Sequence, residues 1–321
     1  MKKITLLLSF IACVVFAQAQ TLFTENFDYI DGSDLLSQNG WSLTGSASTP
    51  TIKITTGSLS YEGYPEQLLT SNSVALGTSG QDINHPFTNQ KSGFVYASAL
   101  VNIKTAGTGD YFIHFGELTS LTAYFCRVYV KADATNIAFG VTNCSGGTPT
   151  QTYTTSTYSL NTTYLLVLKV DVVSGASSII INPALNSEPA SGWVSNASGT
   201  TIPSAANGIG CINLRQGSTS AGVSSTSVID GIRVATSYDA LFTTVATNIS
   251  TPNDENGLNV SLSGKSLLLK NVTNGTNVAI YSATGSKVQS AQLVNGAIQL
   301  NDFSKGLYIV RVGNQSSKIM L

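Results

Sequence analysis

The chain has 321 residues, of which 42% are hydrophobic and only 10% charged, and its formal net charge is −1. Soluble domains carry roughly 25% charged residues, and here Ser, Thr, Asn and Gly stand in for the charges. Low charge with abundant Val, Ile, Leu and Tyr is the opposite of the disorder signature, and the absence of any Lys/Arg cluster argues against a nucleic-acid partner.

Met1-Lys2-Lys3 is a short positive start, Ile4 to Phe16 is apolar apart from Thr5 and Ser9, and Ala17-Gln18-Ala19 is a small-x-small cleavage site. Residues 1–19 therefore read as a secretory signal peptide, with the mature chain starting at Gln20. The apolar run is too short to span a bilayer comfortably, and no later segment reaches span length, so no integral membrane span is expected. Lipid attachment at Cys13 is disfavoured by Phe10 three places before it and by the apolar run continuing past it.

Residues 20–238 read as strands with almost no helical periodicity. Gly93–Ile103 is apolar at both its odd and even positions, which predicts a central strand covered on both sides. Asp110–Glu117, Phe125–Lys131 and Ile137–Val141 follow. Thr163–Val173 is a second long buried strand, and Ser177–Asn182, Ile209–Gln216 and Val228–Thr236 complete the set. Strands joined by Gly/Ser/Thr/Asn turns over this length predict a two-sheet sandwich or jelly roll.

Cleavage leaves Cys126, Cys144 and Cys211. Cys126 and Cys144 lie at equal distance from Thr135, near the turn of a predicted hairpin. A cross-strand disulfide, which export permits, and two small buried thiols are both open readings. With His85 and His114 as the sole histidines, zinc-ligand spacing is absent.

Residues 239–256, ending in Ser250-Thr251-Pro252-Asn253-Asp254-Glu255-Asn256, read as a linker. Residues 257–321 then form a second all-β module. Its short strands are separated by Asn274-Gly275, Thr284-Gly285 and Asn295-Gly296, dipeptides that supply the positive φ of tight hairpins.

Within this module, Gly306-Leu307-Tyr308-Ile309-Val310-Arg311-Val312, the closing Lys318-Ile319-Met320-Leu321 and the preceding Ile280-Tyr281-Ser282-Ala283-Thr284-Gly285-Ser286-Lys287-Val288 resemble the C-terminal sorting domain of type IX secretion cargo in Bacteroidetes. The resemblance implies a protein that is secreted or held at the outer-membrane surface. It names the type IX machinery and its sortase as partners, with surface lipopolysaccharide as an anchor, and Gly306, Tyr308 and Lys318 as the sorting motif.

The larger region also carries a resemblance. Phe23-Thr24-Glu25-Asn26-Phe27-Asp28-Tyr29, Asn39-Gly40-Trp41, Gly109 to Gly116, Leu160 to Val167 and Ile229-Asp230-Gly231-Ile232-Arg233-Val234 are similar to lectin-like jelly rolls of the concanavalin A and laminin-G kind. The fold carries over; function does not, because such folds host enzymes, lectins and structural modules alike.

Few residues point to catalysis. Paired carboxylates of the glycosidase kind are absent. Glu62 and Glu66 straddle Gly63-Tyr64-Pro65 in a loop, and Glu188 sits in the long segment 182–201. His114, with Tyr111 or Tyr124, has the groups of a polysaccharide lyase, but reads first as a strand histidine with a local hydrogen bond. His85 precedes Pro86 in extended or turn backbone. A Gly-x-Ser-x-Gly elbow and a phosphate-binding glycine loop are both missing.

First and last strands often lie side by side in jelly rolls, which would gather Glu25, Asp28 and Asp230 around a structural Ca²⁺. Alternatively, Asp230 anchors a turn or pairs with Arg233. Trp41, Tyr61, Tyr64 and Trp193 are candidate sugar-stacking aromatics, or else caps on the core. The expected whole is a non-catalytic, exported glycan-binding or adhesion protein with polysaccharide as partner. The alternatives are a carbohydrate-active enzyme using His114 or Glu188, and a matrix component without a small ligand.

Overall fold

The structure is a computed structural model that describes residues 19–65, 72–144, 150–197, 199–217, 222–243, 258–263, 266–270, 272–282, 284–300, 303, 306–313 and 315–320. The chain divides into two compact units, Met1–Thr244 and Val245–Leu321. The expected signal peptide falls outside the described residues except at Ala19. Among the described residues no helix is long and apolar enough to cross a membrane.

The first unit runs β1 (Thr21–Glu25), β2 (Ser42–Leu43), β3 (Lys53–Thr55), β4 (Ser73–Leu76), β5 (Ile83–Gln90), β6 (Phe94–Thr105), β7 (Asp110–Glu117), β8 (Ser120–Asp133), β9 (Asn136–Cys144), β10 (Thr152–Tyr153), β11 (Thr163–Asp171), β12 (Ser177–Ile181), β13 (Val194–Asn196), β14 (Ile209–Leu214) and β15 (Thr226–Ala235), then the helical turn α1 (Tyr238–Phe242). These strands form two sheets. The eight-stranded one has the order β13-β12-β11-β6-β15-β4-β3, with β1 also on β15, and the seven-stranded one β10-β9-β8-β7-β14-β5-β2. Every pairing is antiparallel. This is the expected jelly-roll sandwich.

Strand β6 occupies the centre of the eight-stranded sheet because both of its faces are apolar. Val95, Ala97, Ala99, Val101 and Ile103 enter the core between the sheets. Tyr96 and Leu100 point the other way, into a second core shared with Tyr64, Leu165, Val167, Ile180, Tyr238 and Leu241. The two-sided burial expected of this strand is therefore observed.

Residues Tyr238–Phe242 supply part of that outer cover, which corrects the linker expected to begin at residue 239. Ser237 caps the helical turn by accepting from Ala240 N, Asp239 sits in the first turn, and Tyr238, Ala240 and Leu241 are buried. A side-chain cap and an acidic first turn both favour a helical start. The remainder of the expected linker, residues 244–256, lies outside the described residues.

The hairpin of β8 and β9 turns near Thr135, as expected, and decides between the two open readings of its cysteines. Its turn is Ala134-Thr135, with Ala134 at φ 52°, and the register pairs Asp133 with Asn136, Arg127 with Thr142 and Phe125 with Cys144. Cys126, at φ 49°, stays in register with β9 but is a bulge residue against β7, where Ile113 pairs with Val128 and Phe115 with Phe125. It turns inward as a free thiol and donates to Ser178 O at 3.7 Å. A cross-strand disulfide to Cys144 therefore does not form. Burial pushes the Cys126 thiol up to about 12.

The second unit contains β16 (Asn259–Ser263), β17 (Ser266–Lys270), β18 (Asn277–Ser282), β19 (Lys287–Gln292), β20 (Ala297–Gln299), β21 (Leu307–Val312) and β22 (Gln315–Met320). A three-stranded sheet, β16-β17-β20, and a four-stranded sheet, β19-β18-β21-β22, share a core of Leu267, Leu269, Val278, Ile280, Leu293, Ile298, Tyr308, Val310 and Ile319. This second unit has its own interior, as expected of an independent module.

Candidate functional site

The two outer faces of the first unit are not alike. The outer face of the eight-stranded sheet is covered by the second core. That of the seven-stranded sheet carries side chains that belong to neither core, and the register arranges them in two transverse rows.

The first row is aromatic. Tyr153 of β10 lies opposite Gly140 of β9, Gly140 opposite Tyr129 of β8, and Tyr129 opposite Tyr111 of β7. Neighbouring strands stand about 4.8 Å apart, so a row across four strands spans roughly 14 Å. Gly140 makes the row continuous: a Cβ there would lie 2.6 Å from the Tyr153 ring, so that ring rests on bare backbone. Tyr111 and Tyr129 are tilted, with centroids 5.5 Å apart, and Tyr124 lies 6.3 Å from Tyr111.

The second row is polar. Thr142 pairs with Arg127, His114 with Asn213, and Asn213 with Asn84. Asn213 is locked by Thr44 Oγ1, which donates to its Oδ1 at 2.9 Å, and by its own amide donating to Cys211 Sγ at 3.5 Å. Asn84 donates to Thr44 Oγ1 at 3.0 Å and Leu43 O at 3.0 Å.

Two guanidiniums flank Tyr111, with Arg215 at 4.1 Å from the ring centroid and Arg127 at 5.1 Å. Their electrostatic settings differ. Arg215 is neutralised by Asp110 at 2.8 Å and Asp82 at 3.7 Å. Arg127 is positioned by neutral acceptors: its Nε donates to Thr142 Oγ1 at 3.1 Å and its Nη2 to Cys144 O at 2.6 Å. Lys131 Nζ sits 4.3 Å from the Tyr153 centroid. Burial raises Asp82 above the ordinary carboxylate range, against the pull of the Gln216 N–H and Arg215.

His114 lies beneath these groups, 2% exposed, with its ring 4.6 Å from Tyr124 and 5.5 Å from Tyr111. Its Nδ1 stands 2.9 Å from Phe115 O. A carbonyl only accepts, so Nδ1 carries the proton and Nε2 presents a lone pair. Burial, with help from the Arg127 and Arg215 charges, lowers its pKa to about 3. The imidazole is therefore neutral and weakly basic.

The residues expected to bind calcium are placed differently. Strands β1 and β15 do lie side by side, with Glu25 opposite Ile232. Glu25 is already filled: Phe27 N donates at 2.7 Å, Tyr29 Oη at 2.7 Å and Trp41 Nε1 at 3.1 Å. Asp28 is exposed. Asp230 anchors a turn, accepting from Leu59 N at 2.8 Å and Gly231 N at 2.7 Å, and burial pushes its pKa up to about 7. Among the described residues no three His, Cys, Asp or Glu side chains are grouped to hold a metal. Glu25 and Asp230 thus serve the fold in separate hydrogen-bond sets.

Of the two readings of the loop aromatics, the structure supports caps on the core. Trp41 is 1% exposed and stands edge-on to Phe23 at 6.1 Å. Tyr64 is 6% exposed, and its hydroxyl donates to Gly231 O at 2.6 Å. Tyr61 and Trp193 are half-buried against the second core. Glu188 is held by Lys169 at 2.6 Å and by the Tyr96 hydroxyl at 2.9 Å. Glu62 is exposed, and Glu66 lies outside the described residues. His85 stacks on Phe23 at 3.9 Å with Nε2 against Asn39 O at 2.6 Å.

In the second unit, Tyr308 is a core residue, edge-on to Phe303 at 5.1 Å. Lys318 is exposed opposite Ile309, and Gly306 immediately precedes β21.

Residues 252–321 match the family model of the secretion system C-terminal sorting domain. The chain is thus cargo of the type IX machinery, secreted or displayed at the cell surface. No curated protein matches it. Among solved structures, it is similar to the CBM2 module of an evolved Dit from Lactobacillus casei BL23 phage J-1 (10% identity, TM-score 0.39, 68% of this chain and 95% of that one). A second is the cellulose induced protein Cip1 (12% identity, TM-score 0.40, 67% and 97%). A third is domain 4 of AbnA, a GH43 extracellular arabinanase from Geobacillus stearothermophilus, solved with arabinotriose (15% identity, TM-score 0.40, 70% and 99%). At such identities no ligand or activity carries across.

Proposed function

We propose that the chain is an exported, non-catalytic glycan-binding protein of the lectin-like, concanavalin A kind, whose ligand lies along the outer face of the seven-stranded sheet. The observation that supports this most is the register-aligned row Tyr153–Gly140–Tyr129–Tyr111, in which Tyr153 and Tyr111 are part-exposed and Tyr129 lies buried between them. Aromatic faces give stacking area at little entropic expense, and a row across four strands suits a chain of linked rings better than a single ring. Polar groups of the second row supply hydrogen bonds beside it. His114 Nε2 is an acceptor, and its low basicity speaks against a general base working near neutral pH.

In this reading residues 1–19 direct passage across the inner membrane of a Bacteroidetes cell. The secretion machinery then reads the second unit through Gly306, Tyr308 and Lys318, and its sortase cleaves within residues 244–256, with lipopolysaccharide as the surface anchor. Replacing Tyr153 and Tyr111 together by Ala tests the glycan role: the variant should lose at least tenfold in affinity for any polysaccharide the parent retains on a glycan array, with an unchanged melting temperature. Unchanged affinity would refute the site. A chain ending at Thr251 should remain in the periplasm while the full chain reaches the outside; equal export of both would refute the sorting role.

One observation favours a second reading, elimination chemistry: the His114 and Tyr124 rings stand with their centroids 4.6 Å apart. Release of unsaturated oligosaccharides by the parent, abolished in His114→Asn, would establish it.

A further inference from the structure

We infer that the ligand of this face is an anionic polysaccharide, bound through its carboxylate or sulfate groups to Arg127, with Lys131 as a second contact. The inference rests on the glycan-binding reading above and specifies its chemistry.

Arg127 has an unusual setting for a half-buried cation. Of the five N–H groups of a guanidinium, one Nε and one Nη2 hydrogen are spent on Thr142 Oγ1 and Cys144 O. The remaining N–H groups have no acceptor among the described residues, and no carboxylate lies within ion-pair distance. Withdrawing a cation from water without a counter-charge is unfavourable, and the same face shows how the protein compensates when it does so. Arg215, which also lies over the Tyr111 ring, is given Asp110 and Asp82. The difference between the two arginines is the signal: one is neutralised internally and the other is left open.

The open cation is also oriented. Arg127 lies 5.1 Å from the Tyr111 centroid and 5.8 Å from that of Tyr129, and its two fixed hydrogen bonds hold the guanidinium fork in place. A fork fixed in this way matches a carboxylate or sulfate. Lys131, half-exposed over Tyr153, places a second positive charge on the same aromatic row, also without a carboxylate partner among the described residues. Both cations therefore lie along the same aromatic row, so a polyanionic chain meets charge and aromatic surface together. Burial first, and then the nearby Arg127 and Arg215 charges, disfavour protonation of His114. A neutral imidazole acceptor is retained beneath a positive surface.

The test uses the full mature chain and affinity electrophoresis in gels containing alginate, polygalacturonate or hyaluronate, each paired with its carboxyl-reduced, neutral form. Dextran and dextran sulfate serve as the sulfate arm. The inference predicts retardation by at least one polyanion, at least tenfold weaker retardation by its neutral counterpart, and loss of affinity as salt rises. Arg127→Gln should weaken polyanion binding at least tenfold, and Arg127→Lys should restore part of it. Because Arg127 ties β8 to β9, Lys131→Gln provides a second variant that touches no buried hydrogen bond; it should weaken binding several-fold and flatten the salt dependence. Retention by dextran sulfate alone would identify the sulfate as the anion. Equal binding of charged and reduced forms, abolished in Tyr153→Ala and indifferent to Arg127→Gln, would overturn the inference while leaving the glycan reading intact. Binding to none of the polysaccharides would overturn both.

Discussion

Two buried titratable groups, one on each outer sheet face, pull stability in opposite directions with pH. Folded His114 takes its proton only near pH 3, against an ordinary value of 6.5. Between those values the unfolded chain binds more protons, so the His114 contribution is complete above 6.5 and is lost as pH falls toward 3. Folded Asp230 is protonated up to about pH 7, against an ordinary 3.8. There the folded chain binds more protons, so the Asp230 contribution is complete below 3.8 and is lost as pH rises through 7.

At about 1.4 kcal/mol per pH unit inside each window, moving from about pH 7.5 to about pH 4.5 removes about 3 kcal/mol through His114 and returns about 3 kcal/mol through Asp230. The pair should nearly cancel in the parent protein. Asp230→Asn cannot ionise and should expose the His114 loss, falling by about 3 kcal/mol more than the parent on acidification. His114→Asn should do the reverse, gaining about 3 kcal/mol relative to the parent over the same interval. Urea denaturation followed by tryptophan fluorescence reads this cleanly, because both tryptophans, Trp41 and Trp193, lie in the first unit. Parallel pH profiles for parent and both variants would refute the assignment of these burials.

Gly140→Ala should displace the Tyr153 ring, because its Cβ would lie 2.6 Å from that ring; we expect a several-fold loss of polysaccharide affinity with a melting temperature within a few degrees of the parent, and unchanged affinity would mean the ring does not take part. Ile280→Ala, at a site 1% exposed, should destabilise the second unit by about 2–5 kcal/mol and leave the unfolding transition reported by Trp41 and Trp193 unmoved, which two-transition calorimetry would show. Millimolar Ca²⁺ should leave the melting temperature unchanged, since the Glu25 carboxylate is already filled by Phe27, Tyr29 and Trp41; a clear rise would contradict those bonds.

Much of the fold was legible because strand periodicity survives in long runs. Asp110–Glu117 coincides with β7 to the residue, and the two apolar faces of Gly93–Ile103 marked β6 as central. The binding face was less legible. Arg127, Tyr129 and Lys131 alternate on one side of β8, and plain alternation would leave Tyr124 on the other side; the bulge at Cys126 against β7 is what brings it to them. A turn one residue tighter than the Cys126–Cys144 symmetry suggests also changes which residues oppose one another. The importance of Gly140 appears only once Tyr153, thirteen residues later in the sequence, is known to lie against it. The choice between core cap and sugar platform at Trp41 and Tyr64 was open for a related reason. Both lie outside regular strands, where sequence does not reveal burial, and long-range hydrogen bonds to Glu25 and Gly231 draw them in.

Hydroxyl-radical footprinting of the full chain, with and without a polysaccharide that it retains, would locate the ligand by side-chain protection. We predict that Tyr111, Tyr124 and Tyr153 become protected on saturation while Tyr61, Phe94 and Trp193 keep their reactivity. Protection confined to Tyr61, Phe94 and Trp193 would place the ligand on the eight-stranded sheet and contradict the account.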